Sequence, residues 1–150
     1  MFPVLLSLFI AIFQLPPVSK HLTVLTSTSA HAAAPGSKLS LYVDVTPNPG
    51  IHVYAPGAKD YLPVALDVAS TPNVTFRSKR FGKAESMEFE GQKVPVFSKT
   101  FRITQDVELG ATLASGETVT LNGTLKYQAC DDKVCFIPAS VPLTWTIAVK

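Results

Sequence analysis

The chain holds two cysteines, Cys130 and Cys135, with four residues between them in the stretch YQACDDKVCFIP (Tyr127 to Pro138). Sulfur at that spacing admits three chemistries: a metal claw, a structural staple or a redox pair. A structural zinc site takes four ligands, usually two pairs of Cys or His. Of the three histidines only His52 lies in the segment read below as the mature domain, so a metal site would need carboxylates to complete it. His52, in GIHVYAPG, reads as a surface or hydrogen-bonded residue. A single histidine also leaves little scope for a Ser-His-Asp or Cys-His constellation. There is no glycine-rich phosphate loop and no nucleophile elbow, and no cofactor is expected.

The staple is geometrically easy. Tyr127 to Cys130 ends one strand, Asp131-Asp132-Lys133 is a turn, and Cys135 opens the return strand. Cysteines facing each other across a tight hairpin lie within bridging distance. Such a short loop gains little from closure, roughly 2 kcal/mol for about six residues against about 4.7 for 100. Structural bridges in sandwich domains more often tie strands distant in sequence. A bridge at one hairpin tip is a weak way to hold a sandwich together, which favours redox chemistry beside the staple.

Parity and charge add detail. Val119, Leu121, Leu125, Tyr127 and Ala129 share the apolar parity, which sets Cys130 on the polar, outward side. Pairing Cys130 with Cys135 places Leu125 opposite Ser140, yet the apolar set of the return strand begins at Val141. A one-residue bulge is therefore expected around Ile137 to Ala139, where Pro138 is tolerated. Asp131 and Asp132 disfavour a thiolate at Cys130, while Lys133 pulls the other way. The oxidised pair is better suited to be attacked by another protein's thiolate than to attack. On exposure and charge, attack falls at Cys130 with Cys135 leaving.

The elements that must hold this hairpin are strands. KLSLYVDVT puts Leu39, Leu41, Val43 and Val45 on one face, and ASVPLTWTIAV does the same with Val141, Leu143, Trp145, Ile147 and Val149. YLPVALDVA, NVTFRSK, VPVFSKTFRIT, VELGATL and ETVTLNGTLKYQA continue the series, broken by Pro, Gly and Asn. No segment shows a long helical period. The expectation is an all-β, immunoglobulin-like antiparallel β-sandwich. Ser78 to Val96 reads as a charged surface loop with a short hairpin, containing Phe81 and Phe89.

The apolar run Phe2 to Leu15 is followed by a polar stretch and by Ala30-His31-Ala32, which reads as a signal peptide over residues 1–32 and a domain over 33–150. The run is shorter than the ~20 residues that span a bilayer. Removing residues 1–32 leaves 12 basic against 11 acidic residues, with no basic run that would suit a nucleic acid. Export places the cysteines where disulfides persist.

YQACDDKVCFIPASVPLTW resembles the cysteine hairpin of the N-terminal periplasmic domain of the thiol:disulfide interchange protein DsbD. GIHVYAPG followed by YLPVALDV is similar to that family's Gly-aromatic segment and next strand, and FGKAESM to its cap loop. The likeness runs from Leu39 to Val149 and is most specific at Tyr127-Gln128, the cysteines and Pro138. It implies an immunoglobulin-like sandwich in the periplasm, a redox-active Cys130–Cys135 pair and a role in a protein-disulfide reductase relay. The implied donor is a separate thioredoxin-like or membrane disulfide reductase, and the acceptors are oxidised exported proteins. Arg80 stands where the family's shielding ring is expected, so Phe81, with Gly82 as hinge, becomes the expected cap. Tyr54, Tyr127 and Pro138 are expected nearby. The resemblance points to the second cysteine as the one joined to partners, against the attack at Cys130 argued from parity. The competing reading is a non-catalytic immunoglobulin-like binding module whose disulfide rigidifies a contact hairpin.

Overall fold

A computed structural model of the protein describes residues 19–150, and the apolar run Phe2 to Leu15 lies outside them. All elements among the described residues are strands: β1 (Leu22–Thr28), β2 (Ala32–Ala33), β3 (Lys38–Pro47), β4 (His52–Tyr54), β5 (Ala65–Val68), β6 (Val74–Phe81), β7 (Glu85–Phe89), β8 (Gln92–Phe97), β9 (Phe101–Leu109), β10 (Thr118–Tyr127), β11 (Ala129–Cys130) and β12 (Ala139–Val149). They form three sheets, ordered β1-β3-β9-β6, β2-β12-β10-β5 and β11-β4-β8-β7. The first two make the sandwich. Strict alternation dictates this: Leu41, Val43, Val45 and Ile103 point inward from one sheet, and Leu121, Leu125, Leu143 and Ile147 from the other, all buried. Trp145 ties the layers, its indole N–H donating to the Tyr42 carbonyl at 3.1 Å. The architecture is the expected immunoglobulin-like antiparallel sandwich.

Two strand boundaries differ from the sequence reading. VPVFSKTFRIT splits at Ser98–Thr100 into β8 and β9, with Phe97 and Phe101 stacked at 3.8 Å across the turn. TFRIT and VELGATL are then one strand, β9, although Gln105 interrupts its apolar parity. Gln105 is buried, and its amide donates to the carbonyls of Arg77, Ser78 and Asp106. The first two acceptors lie in a β6 bulge between Phe76 and Lys79. A polar residue thus occupies a core position because it satisfies backbone that the bulge leaves unpaired.

Residues on the N-terminal side of the boundary expected between 32 and 33 pair with the sandwich. β1 pairs with β3 from Leu22↔Pro47 to Thr28↔Leu41 and buries Leu22 and Val24. β2 straddles the expected cut, running parallel to β12 with Ala32 beside Ala148 and Ala33 beside Val149. The Ser/Thr-rich alternation that resembled the polar end of a leader is the pattern of a strand with one wet face. The short hairpin expected within Ser78 to Val96 is that of β7 and β8, whose turn places Glu90 and Gly91 at φ 49 and 78. Two consecutive positive φ values match a two-residue type I′ turn, which glycine favours.

Candidate functional site

The cysteine hairpin arises where a strand changes sheet. β10 pairs with β12 as far as Tyr127↔Ala139. Beyond Gln128 the chain leaves that sheet, and β11 joins β4 with Ala129 opposite Val53 and Cys130 opposite His52. The return chain closes the hairpin, with Phe136 N–H donating to Ala129 O at 2.8 Å and Asp131 N–H to Val134 O at 2.9 Å. These bonds flank Cys130 and Cys135, making them a non-hydrogen-bonded antiparallel pair, the arrangement with the closest side chains. The two are joined in a disulfide with Cα atoms 4.0 Å apart.

The hairpin and the sandwich are one residue out of register. Gln128 alone opposes both Ile137 and Pro138 between the Tyr127↔Ala139 and Cys130↔Cys135 pairs. This is the extra residue anticipated around Ile137 to Ala139. The Gln128 amide spans the gap, donating to Phe136 O at 3.1 Å. At the tip, an Asp131 carboxylate oxygen accepts the N–H groups of Lys133 and Val134, both at 2.8 Å. Those two bonds, the one from Val134 first, hold its carboxyl below the usual carboxylate range.

The expectation that Cys130 faces outward is corrected. Cys130 is 1% exposed, whereas Cys135 is exposed. Parity failed because it was carried across Gln128, where β10 ends and the chain crosses to another sheet. That sheet is covered on both sides. Val53, Phe97 and Ala129 face the main core, while Cys130 joins Tyr54, Ala58, Val94 and Val96, with Met87 and Phe89 packed against them.

Aromatic residues pack against this second cluster, which holds the buried Cys130. The Tyr54 hydroxyl lies 3.8 Å from Cys135 Sγ. Tyr54 stacks on Tyr61 at 4.2 Å, and Phe89 reaches within 6.2 Å of both rings. Burial, then the neighbouring Tyr61, pushes the Tyr54 phenol up, so at neutral pH it stays a neutral hydroxyl beside the sulfur. His52 sits 5.6 Å from both Tyr54 and Phe89, and burial lowers its pKa from 6.5 against an opposing pull from Asp131.

Of the residues expected at the site, the structure brings together Cys130, Cys135 and Tyr54. Pro138 lies in the bulge, exposed beside Ile137. Tyr127 packs in the main core and donates its hydroxyl to Lys20 O at 2.7 Å. Phe81, the expected cap, pairs opposite Ile103 and packs on the main core rather than in the cluster around Cys130. Gly82 extends the same ladder, its N–H donating to Arg102 O at 2.8 Å, and Arg80 pairs with Asp106. Phe89, Tyr61, Met87 and His52 were missed as site members. The odd parity of Met87 and Phe89 in ESMEF was a usable signal, because a hairpin with two apolar residues on one face must cover something.

Sandwich and site together define an immunoglobulin-like domain with a disulfide at a hairpin, one sulfur at the surface and one in an aromatic cluster. The family model described as the N-terminal part of the thiol:disulfide interchange protein DsbD matches residues 22–144. The chain belongs to that family. Among solved structures, the N-terminal periplasmic domain of ScsB from Proteus mirabilis is similar at 15% identity and a TM-score of 0.53, over 83% of this chain and 47% of that one. The chain therefore spans about half the length of that relative. The reduced N-terminal domain of DsbD from Neisseria meningitidis is similar at 18% identity and a TM-score of 0.48, over 81% of this chain and 88% of that one. No curated protein matches the chain. Family membership and the Cys130–Cys135 disulfide support a thiol–disulfide exchange domain.

Proposed function

We propose that this is an exported module that passes reducing equivalents between partner proteins through the Cys130–Cys135 pair. The observation that carries the reading is the asymmetry of the two sulfurs: Cys135 is exposed and Cys130 is buried in the aromatic cluster. A partner thiolate attacks the sulfur it can reach, Cys135 Sγ, and forms a mixed disulfide. The Cys130–Cys135 bond breaks, and its electron pair leaves on Cys130 Sγ. A second thiolate of the partner then attacks the mixed disulfide and closes the partner's own disulfide, releasing Cys135 as a thiolate, and the Cys130 and Cys135 thiolates take protons from water. The pair is now a dithiol, and the same steps in reverse reduce an acceptor. This assigns contact to Cys135, replacing the attack at Cys130 argued from parity.

The donor in this reading is a thioredoxin-like or membrane disulfide reductase, and the acceptors are oxidised exported proteins. The rim suits such docking: Ile137 is 89% exposed and Val134 55%. Export needs a leader whose removal spares β1. We therefore place the cut upstream of Leu22, and the N-terminal sequence of the exported protein tests it. The exchange reading is tested by equilibrating the disulfide with glutathione buffers. An exchange site has a potential above about −300 mV, and a value below it makes the bridge a structural one in a binding module.

A further inference from the structure

One buried side-chain polar atom among the described residues has no hydrogen-bond partner: Nε2 of His52. The residue is 4% exposed, and such an orphan is costly unless a partner exists in another state of the molecule. His52 stands directly opposite Cys130 in the β4–β11 pair. Residues opposite each other in an antiparallel pair share a face, with Cβ atoms about 4.5–5.5 Å apart. While Cys130 is bonded to Cys135 its sulfur carries neither proton nor charge. Opening the disulfide turns it into a thiol or thiolate on the face that the imidazole occupies.

We propose that His52 is the proton-carrying partner of Cys130 in the dithiol form, coupling opening of the disulfide to protonation of a buried imidazole. The proposal rests on the exchange reading given above. When a partner thiolate takes Cys135 Sγ, the S–S bond breaks and its electron pair stays on Cys130 Sγ. His52 binds one proton from water, and the imidazolium N–H donates to the Cys130 thiolate. In the reverse step the Cys130 thiolate attacks the mixed disulfide at Cys135, and His52 returns its proton to water.

The surroundings favour a switch of this kind. β8 contributes Val94 and Val96 to this face, and β7 contributes Met87 and Phe89, none of them ionisable. Glu85 shares the parity of Met87, but its carboxylate accepts the Ser98 hydroxyl. Tyr54 and Tyr61 are the phenols of the cluster. Asp131 is the carboxylate that acts on the imidazole and favours its charged form, against burial. A Cys130 thiolate, on the residue directly opposite His52, adds a second negative charge.

The test is a pH titration of the histidine ring signals of the full chain by NMR, once as disulfide and once as dithiol. His52→Gln identifies the signal. Should that variant fail to fold, His21→Gln and His31→Gln identify it by elimination. The expected midpoint is higher in the dithiol form by about one pH unit or more, the effect of an adjacent opposite charge. Equal midpoints, or a lower one in the dithiol form, overturn the proposal. A second reading uses thiolate ultraviolet absorbance in Cys135→Ser, where Cys130 is the sole thiol. Its thiolate should persist to lower pH than in Cys135→Ser/His52→Gln, and identical curves also overturn the proposal. If the histidine responds as expected but no thioredoxin-like partner exchanges with the chain, the exchange reading falls and the His52–Cys130 coupling stands.

Discussion

At the scale of single residues, rings from three segments, Tyr54, Tyr61 and Phe89, gather beside the cluster that holds Cys130, while Phe81 packs on the main core. Replacing Phe89 with Ala should remove cover from the cluster and speed reduction by dithiothreitol several-fold. Phe81→Ala should leave that rate unchanged and lower stability by about 2 kcal/mol, since its ring is half-buried on the main core. Stopped-flow reduction and urea unfolding of both variants check this pair of outcomes, and a faster Phe81→Ala would return the cap to where the sequence put it. His52 gives the oxidised protein a pH signature. Its pKa is depressed in the fold by burial, so the unfolded chain binds its proton more readily. Stability from this residue is present above the unfolded value of 6.5 and is lost as pH falls below it toward the depressed value. Urea midpoints of the disulfide form should therefore decline across that interval, and His52→Gln should flatten this part of the profile.

At the scale of elements, β1 packs on the sandwich upstream of the expected cut after Ala32. Leu22 and Val24 are 4% and 1% exposed, and burying an aliphatic side chain of this size is worth about 1.5–3 kcal/mol. A chain starting at Ala33 should lose at least about 3 kcal/mol, a large share of a typical domain's stability. Equal urea midpoints for chains starting at Ser19 and at Ala33 would contradict the role given to β1. A second element-level prediction concerns Gly123, in the centre of β10. A Cβ there would meet Asp67 O at 2.8 Å and Trp145 Cζ3 at 3.0 Å. Gly123→Ala should therefore cost about 1–3 kcal/mol by overpacking, read from urea unfolding. This glycine lets the indole of Trp145 lie against one sheet while its N–H reaches Tyr42 in the other.

At the scale of the whole molecule, the sandwich was legible wherever one strand alternated without a break, as in β3, β10 and β12. The bulge at Ile137–Pro138 was legible too, because two apolar parities had to be reconciled within a few residues. What parity could not carry was a change of sheet. It ran through Gln128 and put Cys130 on the wrong side, since the rule holds only while a strand keeps its partners. β1 was hidden by its Ser/Thr content, and β9 by a glutamine whose partners are distant in sequence. The aromatic cluster was hidden because Tyr54, Tyr61 and Phe89 meet only after three segments fold together. The most direct measurement of the central claim is trapping. Cys130→Ala and Cys135→Ala forms are mixed in turn with a thioredoxin-like partner that lacks its resolving cysteine and carries its remaining cysteine as a mixed disulfide with thionitrobenzoate, which leaves as a thiolate when the free cysteine attacks. The exposed Cys135 left in Cys130→Ala should form the mixed disulfide readily, and the buried Cys130 left in Cys135→Ala should form it slowly or not at all. Faster trapping by Cys135→Ala, or trapping by neither form, would contradict the account.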